Sequence, residues 1–304
     1  MRALCLDSPR QVSIVDVDAP TPGPGEVLVR VRACGVCGSD LNAWRGVPGV
    51  EFPLPAGAPG HEVWGEVAGL GEGVDALAKG QVVTGLIWNG FAELAVADAT
   101  NLVAVTVGVL GEPLACAAGV VRRASIERGQ RVAVVGFGYL AALIVQLLPR
   151  DNAGWIAVTR RHDSRQLALR LGADAAYDYS QVPSEAWDTY PVVIEAAGVQ
   201  QSLDYATWLT AYGGRLVIAG YHADGSRTVN MQSWNWKGID VVNAHERDPA
   251  VAMRNMCDGL KLADERRLEL ASLTSTTWPL EQVGDAFAAA EARPAGFVKA
   301  VVTP

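Results

Sequence analysis

Charge and cysteine are both scarce in this chain of 304 residues: 19% of positions are charged and five are cysteine. Five cysteines without a regular framework fit a reducing cytoplasm better than a disulfide scaffold. There is no basic block and no run of like charge, and 25 basic against 33 acidic side chains leave a net charge of −8. That balance argues against nucleic acid as a partner. The opening Met1-Arg-Ala-Leu-Cys-Leu-Asp7 lacks the long apolar core of a signal peptide. The uncharged run Val132–Leu148 falls just short of the roughly 18 residues that could cross a bilayer, holds two glycines and has no second span to partner it. Low-complexity tracts and internal repeats are absent. A small-molecule partner, with no membrane and no nucleic acid, is the expectation.

Half the residues are apolar, enough for a sizeable core, and the length suggests two domains. The run at Val132 changes character halfway. Val132–Val135 suits a strand buried on both faces, Gly136 and Gly138 mark a turn, and helix formers continue from Tyr139 until Pro149 stops them. Strand, glycine turn and apolar helix open a dinucleotide-binding unit. Gly136 permits the tight turn, Gly138 lets backbone approach a pyrophosphate, and small Ala141 packs the helix on the strand. The N–H groups at the helix start, at Tyr139 and Leu140, then face the phosphates. A buried strand-turn-helix of another α/β protein is the competing reading. Against it, further strands at Trp155–Val158, Val192–Glu195 and Arg215–Ile218 alternate with helical stretches such as Arg165–Leu171, the pattern of a parallel, doubly wound sheet.

The first 110 residues read differently. Val12–Val17 and Val27–Val31 are strand candidates separated by Pro20-Thr-Pro-Gly-Pro-Gly25, and short strands continue at Val63–Val67, Gln81–Thr84 and Phe91–Val96. Frequent glycine and proline predict a partly open β-barrel. The tail offers a helix, Leu280–Ala292, and a last strand, Gly296–Val302. A lone terminal strand needs a sheet to join, so the barrel domain is expected to be discontinuous, over 1–118 and 258–304, around a dinucleotide-binding domain at 119–257.

Three short segments carry metal-ligating types. Cys34-Gly-Val-Cys37-Gly-Ser39-Asp40 precedes Gly60-His61-Glu62, and Glu112-Pro-Leu-Ala-Cys116 lies just before the nucleotide-binding stretch. Thiolate, imidazole and carboxylate are the set zinc prefers, and a catalytic site needs three of them plus an open position. Each also has a plain reading. Cys34 has no second Cys-x-x-Cys pair and suits packing; His61 alone could be a hydrogen-bonded core histidine; Glu112 alone could begin a helix.

Taken together with the glycine fingerprint, these segments resemble the zinc-dependent medium-chain dehydrogenase/reductase family, the alcohol and polyol dehydrogenases. The resemblance extends from the proline-rich opening through Glu195-Ala-Ala-Gly198 to Phe297-Val-Lys-Ala-Val. It implies a GroES-like barrel beside a Rossmann sheet, with Cys37 and His61 as zinc ligands. Glu62 is similar to the family's glutamate that binds the metal or displaces its water. Glu112 resembles the polyol branch's glutamate at or near the third position, with Cys116 the competing candidate. Asp40 resembles the carboxylate that orients the histidine, and Ser39 the hydroxyl that passes the alcohol proton outward. Zinc would lower the pKa of a bound alcohol, whose hydride passes to nicotinamide held across the interdomain cleft.

Three departures qualify the resemblance. Asn42 stands where alcohol dehydrogenases often continue the proton relay with histidine, and it cannot titrate near neutrality. Thr84–Phe91 passes without the four-cysteine lobe that binds structural zinc in many relatives, so one zinc per chain is expected. The strand Trp155–Val158 leads into Thr159-Arg160-Arg161, with no carboxylate before Asp163. An acidic residue there would select NAD; two guanidiniums suit a 2′-phosphate, so NADP(H) is expected over NAD(H).

The segment Ser233–Asp240, with Trp234 and Trp236, followed by His245, Glu246 and Arg247, is read first as a sheet edge and subunit contact. A substrate or proton-handling role for His245 or Glu246 is the sharper alternative. His162 and His222 follow strands and are given no catalytic role. The expected protein is a homodimeric, zinc-dependent enzyme that moves a hydride between NADP(H) and a secondary alcohol or ketone, possibly a polyol, cyclitol or sugar-like substrate. A zinc-free NADPH reductase of the same fold would have no need for Cys37, His61, Glu62 and Glu112 together. A catalytically silent nucleotide-binding protein would bind cofactor without turnover.

Overall fold

Short apolar stretches build the N-terminal strands. In the computed structural model, which describes residues 1–223 and 225–304, β1 (Arg2–Ser8) and β2 (Gln11–Asp16) form an antiparallel hairpin. Then follow β3 (Glu26–Gly35), the short α1 (Asp40–Arg45), β4 (Glu62–Leu70), β5 (Val82–Leu86), β6 (Leu94–Asp98) and β7 (Leu102–Ala104). After α2 (Gly111–Ala124) come β8 (Val132–Val135), α3 (Tyr139–Leu147), β9 (Trp155–Val158), α4 (His162–Arg170), β10 (Ala175–Tyr177) and β11 (Tyr190–Glu195). The chain continues through α5 (Gln200–Leu209), β12 (Thr210–Ile218), α6 (Met231–Lys237), β13 (Asp240–Asn243) and α7 (Pro249–Arg266). It closes with β14 (Thr276–Pro279), α8 (Val283–Ala292) and β15 (Ala300–Thr303).

Two units result. The first comprises Met1–Ala115, Asp248–Lys261 and Glu269–Pro304; the second comprises Cys116–Arg247 and Leu262–Leu268. In the first, the strand order is β14-β15-β3-β4-β5-β7, with β6 also on β3. The ten-residue β3 is the spine. Its outer edge is shared, Glu26–Arg30 pairing with β6 and Cys34–Gly35 with β15, while β4 runs along the other edge. Val27, Val29 and Val31 alternate inward to a core with Leu4, Val63, Phe91 and Phe287, as a half-buried strand requires. Trp44 stacks on Phe287 at 5.3 Å and Phe91 meets the same ring edge-on.

The second unit is a six-stranded parallel sheet in the order β10-β9-β8-β11-β12-β13. Every residue of β8 and β9 is buried, as the continuous apolar runs dictate for strands covered on both faces. The order reverses between β8 and β11, the switch point where doubly wound sheets hold ligands outside the strands' carboxyl ends. This is the α/β class expected, a partly open barrel and a doubly wound parallel sheet.

Three local expectations needed correction. The last strand starts at Ala300 rather than Gly296, because Gly296 adopts φ +76 and Phe297 N–H closes a turn on Pro294 O. The 18-residue α7 was not anticipated; its buried residues are Asn255, Met256 and Gly259, which leaves almost no apolar stripe to read. The tryptophan segment is helical: Asn230 caps α6 and Gly238 ends it in the left-handed region, while the sheet edge is β13 beyond it. No described helix is long and apolar enough to cross a membrane.

Candidate metal centre and dinucleotide cradle

Strand register assembles the candidate metal donors. Antiparallel pairing sets Gly35, at the end of β3, opposite Glu62, at the start of β4. Cys37 overhangs one strand by two residues and His61 the other by one, so residues far apart in sequence meet at one end of the barrel. The sulfur of Cys37, a ring nitrogen of His61 and a carboxylate oxygen of Glu62 lie within 4.8 Å of one another. Asp40, in the first turn of α1, organises two of them: its Oδ2 accepts the Cys37 N–H at 2.8 Å, and its Oδ1 lies 3.2 Å from His61 Nδ1. With Nδ1 so engaged, Nε2 is the nitrogen left for a metal, the arrangement that ligating histidines need.

The trio is sealed from behind. Glu62 is 2% exposed, and its carboxylate pairs with Lys299, which also donates to Val36 O at 2.9 Å. Lys299 precedes β15, whose pairing with Cys34 and Gly35 delivers it to the same end of the barrel. A Cβ on Gly35 would sit 2.2 Å from Glu62 Oε2 and 2.9 Å from Lys299 Cε, so a larger residue there would have to displace this pair. In the sequence Lys299 belongs to the tail segment Phe297-Val-Lys-Ala-Val without a role of its own; the register of β15 supplies one.

The electrostatics suit a site that exchanges a proton for a cation. Burial opposes charge on His61, but its hydrogen bonds to Asp40 and Cys37 outweigh this and push its pKa up to about 12. Burial, with nearby Glu62, pushes the Cys37 thiol up. Thiol, imidazole and carboxylate converging in one partly shielded place are a donor set that fits zinc.

The other predicted residues are placed as follows. Ser39 stands at the N-cap of α1 without using its side chain as the cap. Glu112 lies in the first turn of α2, outside the converging trio. Cys34 is fully buried, where desolvation holds its thiol well up, consistent with packing. Trp88 is 63% exposed, with its ring 5.7 Å from that of His61.

In the second unit, Gly136 takes φ +87, and a Cβ there would lie 2.5 Å from Ala197 Cβ. Gly138 is the N-cap of α3, whose first turn carries Tyr139, Leu140 and Ala141; N–H groups at a helix start have no acceptor within the helix and favour an anion. Glu195, fully buried, holds the facing loop. Its Oε1 accepts from Ala197 N, Gly198 N and Ser202 Oγ at 2.6–2.8 Å, and its Oε2 lies 3.1 Å from His222 Nε2. Arg227 donates to His222 Nδ1 and to Gly198 O. His222 is thereby a brace between two loops, and Glu195 is its buried anchor. The signal in the sequence was a carboxylate ending an otherwise apolar strand.

At the end of β9, Thr159 is buried, Arg160 is exposed without an ion pair among the described residues, and Arg161 stands 3.9 Å from Asp163. Glu246 faces Arg122 and Arg123 at 3.3–3.4 Å and accepts its neighbour's N–H, so its carboxylate is committed to structure. His245 is exposed beside Tyr221, ring centroids 6.4 Å apart, and burial lowers its pKa. Trp234 donates to Thr207 Oγ1, while Trp236 is 79% exposed.

Known proteins share this organisation. Residues 23–130 match the family model described as the alcohol dehydrogenase GroES-like domain, and residues 140–259 match that of zinc-binding dehydrogenase. The starvation-sensing protein RspB of Escherichia coli K12 is 30% identical over 273 residues, 76% of this chain and 80% of that protein. A 2-dehydro-3-deoxy-L-galactonate 5-dehydrogenase of Pseudoalteromonas atlantica is 26% identical, covering 96% of both. A crystal structure from Sinorhizobium meliloti 1021, described as a zinc-binding dehydrogenase bound to NADP, superposes with a TM-score of 0.85 at 27% identity, covering 100% of this chain and 99% of that one.

Proposed function

Because this chain belongs to the zinc-type medium-chain dehydrogenase/reductase family and is an oxidoreductase of its alcohol and polyol dehydrogenase kind, we propose that it is a zinc-dependent enzyme moving a hydride between NADP(H) and a secondary alcohol or its ketone. The proposed substrate is a polyol, cyclitol or sugar-like molecule, a class supported by the sugar-acid dehydrogenase among its relatives. The convergence of Cys37, His61 and Glu62 within 4.8 Å carries this reading.

Cys37 and His61 would hold the metal, with Glu62 as third donor and Glu112 kept as the candidate for a further carboxylate. Bound there, zinc supplies Lewis-acid chemistry to a substrate oxygen and nicotinamide supplies the hydride carrier. Asp40 keeps His61 oriented, and the Ser39 hydroxyl takes the alcohol's proton outward. Asn42 cannot continue that relay by titrating, so water or another group does. Gly136, Gly138, Tyr139 and Leu140 form the pyrophosphate cradle; Thr159, Arg160 and Arg161 receive the 2′-phosphate. One zinc per chain is proposed, since Thr84–Phe91 holds no cysteine lobe.

The same reading proposes a cytoplasmic homodimer joined through β13. That strand ends the sheet and exposes Val241, and an exposed edge strand is a template for pairing with another chain. A monomeric mass in light scattering at micromolar protein would remove the dimer. The activity is tested by assaying a panel of polyols, cyclitols, sugar acids and simple secondary alcohols with each cofactor, alongside elemental analysis. Turnover that survives chelation, or no turnover on any member, would defeat the reading.

A further inference from the structure

The turn from β9 to α4 carries the residues assigned above to the 2′-phosphate, and its backbone is gripped by a side chain one helical turn further on. Arg165 Nη1 lies 2.9 Å from Thr159 O, 2.6 Å from Arg160 O and 3.0 Å from Asp178 Oδ2. We propose that Arg165 is a positioning residue that fixes the Thr159–Arg161 turn for a 2′-phosphorylated dinucleotide and so sets the preference for NADP over NAD without touching either cofactor. The inference rests on the NADP reading above.

The grip is anchored at both ends. Asp178 follows β10, and its other oxygen caps the next turn through Ser180 N and Oγ at 3.3–3.4 Å. Thr159 N–H bonds Tyr177 O at 2.9 Å, so the turn is also tied to the neighbouring strand. Arg165 is shielded, its side chain 18% exposed against 27% for Asp178. Two consecutive carbonyls held by one guanidinium leave the turn little freedom. The Arg160 side chain then leaves a fixed backbone towards solvent.

Charge bookkeeping separates position from attraction. Asp178 compensates Arg165, and Asp163 stands loosely by Arg161. Arg160 is the guanidinium of this turn without an ion pair among the described residues. Attraction for a phosphate therefore comes mainly from Arg160, and Arg165 supplies order. A preformed binding turn gains affinity by avoiding the cost of ordering on binding, and only a ligand that engages the turn collects that gain. NAD, lacking the phosphate, engages it less.

Direct titration of NADP and NAD into the purified protein, at low salt and at about 0.5 M salt, tests the idea. Arg165→Met is expected to weaken NADP about tenfold, or about 1.4 kcal/mol, while NAD stays within about twofold and kcat at saturating cofactor is unchanged. The loss should persist at high salt, where exposed charges are screened within a few ångström. Arg165→Lys, which keeps the charge but not the planar fork, should fall between Met and wild type. Equal losses for both cofactors, no loss, a loss that vanishes at high salt, or a lysine variant identical to wild type would each overturn the positioning role. A wild type that binds NADP no tighter than NAD would instead overturn the NADP reading itself.

Discussion

The candidate metal donors and the β9–α4 arginines are both charged clusters at strand ends, built on different terms. At the barrel end, Asp40 and Glu62 are each 2% exposed and Lys299 5%, and all three have designated partners. At the β9 end, Arg160 reaches solvent and its backbone is what is held. Buried charge must be compensated in the fold, because desolvation costs several kcal/mol per ion; exposed charge is solvated until a ligand arrives. Damage to the first cluster should therefore reach stability and catalysis together, and damage to the second should reach selectivity alone.

The largest expected effect is on turnover. Cys37→Ala or His61→Ala should lower kcat/KM by roughly a thousandfold or more, about 4 kcal/mol of barrier, with cofactor affinity within about twofold. The candidate ligands and the glycine cradle belong to different units. Paired rate assays and cofactor titrations check this, and normal turnover with poor cofactor binding would reverse the assignment.

Next comes the buried pair. Lys299→Met leaves Glu62 as a buried carboxylate without its partner, which should cost about 3 kcal/mol of stability. Thermal or urea unfolding of the metal-free protein measures it. A loss below about 1 kcal/mol would show that water reaches the pair, and the contrast between sealed and open clusters would go with it.

Replacing Arg160 and Arg161 together by Ala should weaken NADP about tenfold and leave NAD nearly unchanged, the scale of one charge-assisted hydrogen bond at about 1.5–3 kcal/mol. Equal weakening of both cofactors, or a wild type that prefers NAD, would contradict this.

The smallest effect separates exposure from location. Glu291 on α8 lies in the barrel unit but near the surface, with Arg10, Arg45 and the Trp44 indole N–H around it. Hydrogen bonds from Arg10 and Arg45 pull its pKa down from 4.5 to about 2. A depressed carboxylate stabilises the fold above its unfolded pKa and loses that contribution as pH falls through the folded value. Wild type and Glu291→Gln should accordingly differ by no more than about 1 kcal/mol at pH 7, given the exposure of the cluster, and converge as pH drops from about 4.5 towards 2. A difference as large as that for Lys299 would mean that membership of the barrel, not burial, sets the cost.

Much is legible in the sequence. Apolar runs, glycine turns and alternating periods are local properties, so the doubly wound sheet, the barrel strands and the fingerprint at Gly136–Ala141 could be read directly. Cys37, Asp40, His61 and Glu62 each had a plain reading alone and stood out through the resemblance of their combined segments to the zinc-dependent family. The weakly amphipathic α7 did not, because helix recognition needs a buried stripe and only three of its residues are buried.

What the chain order could not contain is adjacency across strands. Lys299 meets Glu62 only because β15 pairs with the end of β3; Glu195 braces His222 only because β11 and β12 lie side by side. Arg165 looks like any helix-face arginine until its guanidinium is seen on Thr159 and Arg160 carbonyls. The sequence by itself determined which residues can ligate, cradle and repel, since those are properties of side chains. Tertiary structure alone decided which of them are held, because holding is a matter of register and burial between segments that the sequence keeps far apart.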